Sequence, residues 1–312
     1  MHLKLFVIKI LAFVTFIVLM DFTSGYLFRY LETKALNNNP FGMVAEFTMW
    51  KAEDDIIIFG SSEVRYGLIP SLIKNKMGMS VSNCANSNVP FYYQYCMINS
   101  VLERKKPKVI IWSIQTCYLS TPNEKQKNAL SALNPFYNTN DYCKRIINKK
   151  SKYEYLKMES NFYRYNSCIF NLIDNIFFKT ETDMGYLAFS NSGNNYPTFY
   201  TSSEECLIDS EISNLFIEVI QKCKASNVEL ILIVTPKFEN INNDNNSSYK
   251  HLIEICAKND VPLINEFYNS PVFLSDSTLF HDNTHLNDKG ARLFTTLLFD
   301  KIKQIRDTKQ AH

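Results

Sequence analysis

The chain has 312 residues, 46% of them hydrophobic, and its 33 basic residues nearly balance 31 acidic ones. That length and apolar content suit one α/β domain with an insertion and exclude a disordered chain. A net charge of +2 with no block of like charge argues against a nucleic-acid partner; the short Arg104-Lys105-Lys106 cluster reads as a solvated helix end.

Residues Leu5 to Met20 are almost entirely apolar, and Lys4 and Lys9 are the only charges in the first twenty. A basic start followed by an apolar run marks an exported chain. The run is short for a membrane span, and Lys9 would have to snorkel towards the cytoplasmic interface; extension through Phe22 to Phe28 would lengthen it at the cost of carrying Asp21. Thr23-Ser24-Gly25 is a poor cleavage site, so an uncleaved signal anchor over residues 1–28 is the leading expectation. A cleaved signal peptide and a soluble core helix are the alternatives. With the basic end inside, everything after the anchor is extracytoplasmic.

The first strong strand is Asp55-Ile56-Ile57-Ile58-Phe59, a continuous apolar run ending at Gly60. Such runs belong to parallel strands buried on both faces. A helix follows from Pro70 to Lys76, a short strand over residues 80–83, a helix from Pro90 to Arg104, and a buried strand from Lys108 to Ile114. Residues 119–204 break this rhythm. They are rich in Tyr, Phe and Asn, with helices expected over 139–150 and 153–178 and an irregular loop from Thr180 to Ser203. The rhythm then returns: helix 209–226, strand Val228 to Val234, helix 247–259, strand Pro262 to Glu266 and a final helix over 288–305. Five strands alternating with helices predict a three-layer α/β domain with a five-stranded parallel sheet in flavodoxin-like order. Its site belongs at the carboxyl ends of the strands.

Eight cysteines, at 84, 96, 117, 143, 168, 206, 223 and 256, form no Cys-x-x-Cys pair and no Cys/His ligand spacing, so no metal site is expected. Most read as buried thiols, although export permits some to oxidise in a pairing that sequence does not give.

Two constellations carry chemistry. Phe59-Gly60-Ser61-Ser62-Glu63 places a serine just beyond a buried strand, where its hydroxyl projects from the sheet edge near free backbone N–H groups. The same serines would serve equally as ordinary helix caps. Asp282-Asn283-Thr284-His285 puts a carboxylate three residues before an imidazole; on a helical turn the two share one face. Such a pair can act as a general base with its tautomer held by the acid. The other histidines are at 2, 251, 281 and 312, and His281 is the only local rival to His285.

Together these blocks resemble the SGNH (GDSL-type) hydrolase superfamily. There a Gly-Asp-Ser-Leu-like block follows the first strand and an Asp-x-x-His block precedes the last helix. The resemblance covers residues 52–118 and 205–306 and leaves 119–204 as an aromatic-rich insertion. It implies Ser62 as nucleophile, His285 as base and Asp282 as its orienting partner. The run His285-Leu286-Asn287-Asp288-Lys289-Gly290-Ala291 is the most specific part. The family's second block looks like Asn83-Cys84-Ala85-Asn86-Ser87-Asn88, with Asn88 where glycine is usual. Its third, normally an asparagine, is represented by Gln115. The oxyanion hole implied is therefore Ser62, Asn88 and Gln115, with no cofactor.

Gly60-Ser61-Ser62-Glu63 and the anchor look most like membrane-tethered members such as the teichoic acid D-alanyl transfer protein and the alginate acetylation proteins. Those members imply an acylated cell-surface glycan or polymer as substrate and a membrane-bound O-acyltransferase as partner. Transfer and hydrolysis are not separated by any residue. Tyr153, Tyr155, Tyr163, Tyr165 and Tyr186 would either stack on sugar or pack the insertion's own core. A non-catalytic scaffold of the same fold is the main alternative. A phosphate-binding flavodoxin-like module is a third, weakened by the single Gly60 where a glycine-rich loop is needed.

Overall fold

The computed structural model describes residues 2–189 and 197–310; His312 and part of the expected 180–203 loop lie outside them. In chain order the elements are α1 (His2–Asn38), α2 (Val44–Trp50), β1 (Ile56–Phe59), α3 (Ser62–Arg65), α4 (Pro70–Met77), β2 (Val81–Asn83), α5 (Phe91–Arg104), β3 (Val109–Ser113), α6 (Glu124–Ala129), α7 (Asp141–Ile147), α8 (Glu154–Lys157), α9 (Asn161–Tyr165), α10 (Ile169–Phe177), β4 (Thr201–Ser203), α11 (Ser210–Ala225), β5 (Glu229–Ile233), β6 (Asn240–Asn242), α12 (Ser247–Lys258), β7 (Leu263–Ile264), α13 (Pro271–Leu274) and α14 (Asp288–Gln310). They form two compact units, Met1–Glu46 with Leu130–Thr180, and Phe47–Ala129 with Glu181–His312.

The second unit is built on a parallel sheet of order β2-β1-β3-β5-β7, the flavodoxin-like order that the alternation of strands and helices predicts. β1 and β3 are buried at every position because helices cover both faces of the sheet. Alternate residues serve opposite layers. Ile56, Ile58, Val109, Ile111, Ile231 and Ile233 share a cluster with Ile73 of α4 and Phe294 and Leu298 of α14. On the other face, Trp112 of β3 packs against Phe91 of α5 and Phe216 of α11, with ring centroids 6.0 and 5.3 Å away. Each fully buried Ile or Phe contributes on the order of 1.5–3 kcal/mol, which makes this sheet the unit's main source of stability.

The register aligns the carboxyl ends of β1 and β3, with Phe59 opposite Trp112. The order reverses between these two strands, so a crevice opens beyond their ends. Gly60 follows β1 there. A Cβ on it would stand 2.8 Å from Val64 Cγ2 and 2.9 Å from Ser113 Cβ, so glycine lets α3 fold back against the edge of β3.

Two expectations for the segment 119–204 need correction. The helix expected over 153–178 is three short helices, α8, α9 and α10. The break comes where Ser160 Oγ accepts the Tyr163 N–H at 3.2 Å and so caps a new helix. The loop expected from Thr180 to Ser203 ends in a strand, β4, which pairs in parallel with β6. Both are only three residues long, and β4 is wholly polar, so neither carries an apolar pattern long enough to be read from sequence.

In the first unit, α1 runs unbroken for 37 residues, ten beyond the expected end of the anchor. It is the one helix among the described residues long and apolar enough to cross a membrane. α9 and α10 pack along its later part. Phe28 stacks on Tyr165 at 5.0 Å, and the Tyr165 hydroxyl donates to Glu32 at 2.8 Å. Tyr165 therefore belongs to the core of its unit. Tyr163 is tied to Glu154 at 3.0 Å, and Tyr186, in the other unit, to Asp288 at 3.0 Å. Of the five tyrosines considered for sugar stacking, Tyr153 and Tyr155 are left exposed.

Candidate active site

Ser62 is the first residue of α3, directly beyond β1 and Gly60. Neither serine caps this helix: Ser61 makes no side-chain cap bond, and the Ser62 hydroxyl points elsewhere. It meets His285 Nε2 at 2.8 Å. On the far side of the ring, His285 Nδ1 lies 2.8 Å from Asp282 Oδ2 and 3.0 Å from Oδ1. A carboxylate, an imidazole and a hydroxyl thus form one hydrogen-bonded line across 223 residues of sequence.

The Asp/His spacing works through a turn, not the helical turn expected. Residues 281–285 form a loop before α14, closed by an antiparallel bridge between Phe280 and Leu286. Asp282 Oδ1 accepts the backbone N–H groups of Thr284 and His285, each at 2.8 Å. This is the turn that an aspartate makes with its own following backbone. Partial burial pushes the Asp282 carboxyl up, but the His285 bond and those two N–H groups outweigh it and hold the carboxyl below its usual range. Its charge is therefore available to fix the imidazole with Nδ1 protonated and Nε2 free to accept. The loop is pinned from behind by Asn287, whose side chain donates to the Thr278 and Phe280 carbonyls. Gly290 lets α14 approach: a Cβ there would come within 2.0 Å of the Leu279 carbonyl oxygen.

His281, the local rival, takes no part in this line. It stacks face to face on Phe189 at 4.1 Å. Phe189 in turn stacks on Tyr66 at 4.0 Å, and both Tyr66 and Phe189 present edges to the His285 ring. One turn of α3 carries Ser62 and Tyr66 on the same side. His285 thus stands in an aromatic wall, which limits its rotation and its exposure. Sequence spacing pointed to neither Tyr66 nor Phe189.

The residues expected to hold an oxyanion are less uniform. The Ser62 N–H opens α3 and has no acceptor among the described residues. Asn88 is exposed, with φ +58°, so a residue that tolerates the left-handed region stands where glycine is usual. Gln115 Nε2 donates to Glu63 Oε1 at 3.3 Å, which directs its amide towards that carboxylate. The structure brings Ser62, His285 and Asp282 together; it records no bond from Asn88 or Gln115 to any of the three.

Glu63 is the centre of a network that spacing did not reveal. It is buried, and Thr235 donates to its second oxygen at 3.1 Å. Lys237 Nζ lies 3.4 Å from Oε1 and 3.8 Å from Glu239. The Glu63 charge, against the opposing effect of burial, raises the Lys237 ammonium above its usual range. Phe238 N–H bonds the Asn283 carbonyl at 2.8 Å, so the same segment braces both the residue after the serine and the loop of the histidine. Asn83 ties the end of β2 to α3, donating to the Val64 and Leu68 carbonyls.

Cys117 and Cys206 are joined in a disulfide with Cα atoms 5.5 Å apart; among the described residues the other six cysteines are free thiols, five of them buried. No group of three or more His, Cys, Asp or Glu among the described residues is placed to hold a metal ion.

No protein-family model matches this chain, and no curated protein matches it. Several solved structures are similar to it, two esterases among them. One is a psychrotrophic esterase, EstA from Pseudoalteromonas sp., in a form inhibited by monoethylphosphonate: 12% identity, 81% of this chain and 98% of that chain covered, TM-score 0.41. The other is an acetyl xylan esterase, AlAXEase: 14% identity, 79% of this chain and 99% of that chain covered, TM-score 0.38. Neither likeness bears on the chemistry, which follows from the site itself.

Proposed function

We propose that the chain is an SGNH-type serine esterase or O-acyltransferase. The observation that carries this reading is the hydrogen-bonded line from Asp282 through His285 to Ser62. Ser62 Oγ attacks an ester carbonyl while His285 Nε2 takes its proton. The tetrahedral oxyanion is received by the Ser62 N–H, with the Asn88 N–H and the second N–H of the Gln115 amide, the one not given to Glu63, as the further donors; each such donor is worth roughly 10²–10³ in kcat. His285 then passes its proton to the departing alcohol, leaving an acyl group on Ser62. In the second half a hydroxyl group attacks that acyl-enzyme, with His285 again as base. Water makes the reaction hydrolysis; a sugar hydroxyl makes it transfer.

We place the catalytic unit outside the cytoplasm, held to the membrane by α1, with an acylated cell-surface glycan or polymer as substrate and a membrane-bound O-acyltransferase as partner. Support comes from the basic, apolar start of α1 and from the Cys117–Cys206 disulfide, a bond that persists in oxidising compartments. The reading is tested by hydrolysis of a p-nitrophenyl acyl ester by the purified chain. We predict turnover that disappears in Ser62→Ala while the helical circular dichroism is unchanged. Full turnover in Ser62→Ala would contradict it, and no turnover in the folded parent would favour the scaffold of an acylation complex.

A further inference from the structure

We infer that α8 and the start of α9 form a foot that docks on the outer surface of the lipid bilayer crossed by α1; this rests on the anchor reading above. The position of the foot along α1 is fixed by Asp21. A span of about 30 Å that begins at Leu5 ends near Ser24, so Asp21 falls at the outer edge of the hydrocarbon. A bare carboxylate there is unfavourable. Asp21 is not bare. It accepts from Ser160 Oγ at 2.7 Å and from the backbone N–H groups of Asn161 and Phe162 at 2.9 and 3.0 Å. Asn161 Nδ2 also donates to the Asp21 carbonyl at 3.0 Å. The first turn of α9 is therefore locked to α1 at the level where the apolar run ends.

The surface at that level has the composition of a membrane interface. Tyr153, Tyr155, Leu156 and Phe162 are all exposed, Leu156 by 55%. They are not a collapsed surface awaiting burial within the unit. Glu154, between them, is buried and anchored by Ser151, Lys157 and Tyr163, which fixes its neighbours facing outward. Lys149, Lys152 and Lys157 are exposed around them. Residues 141–160 hold six basic side chains against three acidic ones in a chain that is otherwise nearly neutral. Amphipathic aromatic rings sit at headgroup depth, and a basic rim matches anionic headgroups. A lipid surface continuous with the lipid already around α1 meets both features at once.

Height gives the test its contrast. α10 also exposes apolar residues, Phe170, Ile173 and Phe177. Its end, however, is bonded to Asn38, which donates to the Asn175 carbonyl at 3.0 Å. Asn38 is about 25 Å further along α1 than Asp21, well outside the hydrocarbon. The experiment uses the full chain in nanodiscs of phosphatidylcholine and phosphatidylglycerol brominated near the carboxyl end of the acyl chain. Tryptophan is introduced one site at a time, as Leu156→Trp, Phe162→Trp, Phe177→Trp and Phe13→Trp, and read against the parent's own Trp50 and Trp112. We expect quenching of at least twofold at 156 and 162 and none at 177. Phe13→Trp reports on the anchor, and lipids brominated near the chain end should quench it. Quenching at 13 without quenching at 156 and 162 overturns the foot, leaves the anchor standing, and turns the patch over to a protein partner. Equal quenching at 177 also overturns it, because the whole unit would then lie on lipid. No quenching at 13 removes the anchor and the foot together.

Discussion

At the residue scale, each member of the line has a separate duty and a separate signature. In the proposed mechanism Asp282 fixes the tautomer of His285, so Asp282→Asn should preserve the fold and lower turnover roughly 10⁴-fold. Activity within tenfold of the parent would remove Asp282 from the mechanism. Glu63 and Lys237 predict a different outcome, because their duty is to hold the serine's neighbourhood. Lys237→Ala leaves a buried carboxylate beside Gln115 and Thr235 without its cation, and should destabilise the unit by about 3–5 kcal/mol in a denaturant melt. A change under 1 kcal/mol would show that water reaches Glu63 freely. The sequence pointed to Ser62 and the Asp282/His285 pair, which the structure brings together, because each stands in a short motif beside a strand or helix end. It did not disclose Lys237 or Phe189. Their chemistry depends on contacts across long stretches of chain, and neither residue type is unusual where it stands.

At the scale of elements, the strand–turn–helix around Gly60 and the loop before α14 do the positioning. Gly60→Ala forces a methyl between Val64 and Ser113 and should cost about 1–3 kcal/mol, with loss of activity exceeding loss of fold because α3 carries Ser62. Parent-like kinetics in that variant would mean that α3 shifts without moving the hydroxyl. The buried strands were legible because parallel strands read as continuous apolar runs. The short helices of 153–178 were not, because Tyr, Phe and Asn recur there without a clear period and the break is made by Ser160 and by Asp21, 139 residues earlier in the chain. The Asp282 turn shows the same limit in miniature. The spacing identified the pair but suggested a helix, whereas the aspartate's own hydrogen bonds to the following N–H groups build the turn.

At the scale of the molecule, the first unit contains a buried carboxyl that makes its stability depend on pH. Glu46 is fully buried, and burial first, then the Glu32 charge, push its carboxyl up to about 7. A folded-state pKa above the unfolded value contributes stability that is complete below about pH 4.5 and lost as pH rises through about 7, on the order of 3 kcal/mol. We predict that this unit melts higher at pH 5 than at pH 8 and that Glu46→Gln flattens the difference. The same difference in Glu46→Gln would place its origin elsewhere. In the other unit, the disulfide closes a long loop between Cys117 and Cys206, and replacing both cysteines by serine should lower stability by about 2–4 kcal/mol. A double variant that melts with the parent, and a parent whose melt is unchanged by a reductant, would mean that the bond adds no stability to the folded chain.

The proposed chemistry requires Ser62 to be an activated nucleophile. The direct measurement is reaction of the purified folded chain with a fluorophosphonate, followed by peptide mapping. We predict a stable adduct on Ser62 that is absent in His285→Ala, since the imidazole must take the proton as the phosphorus–oxygen bond forms and fluoride leaves. An adduct on another serine, or equal labelling of Ser62 without His285, would contradict it.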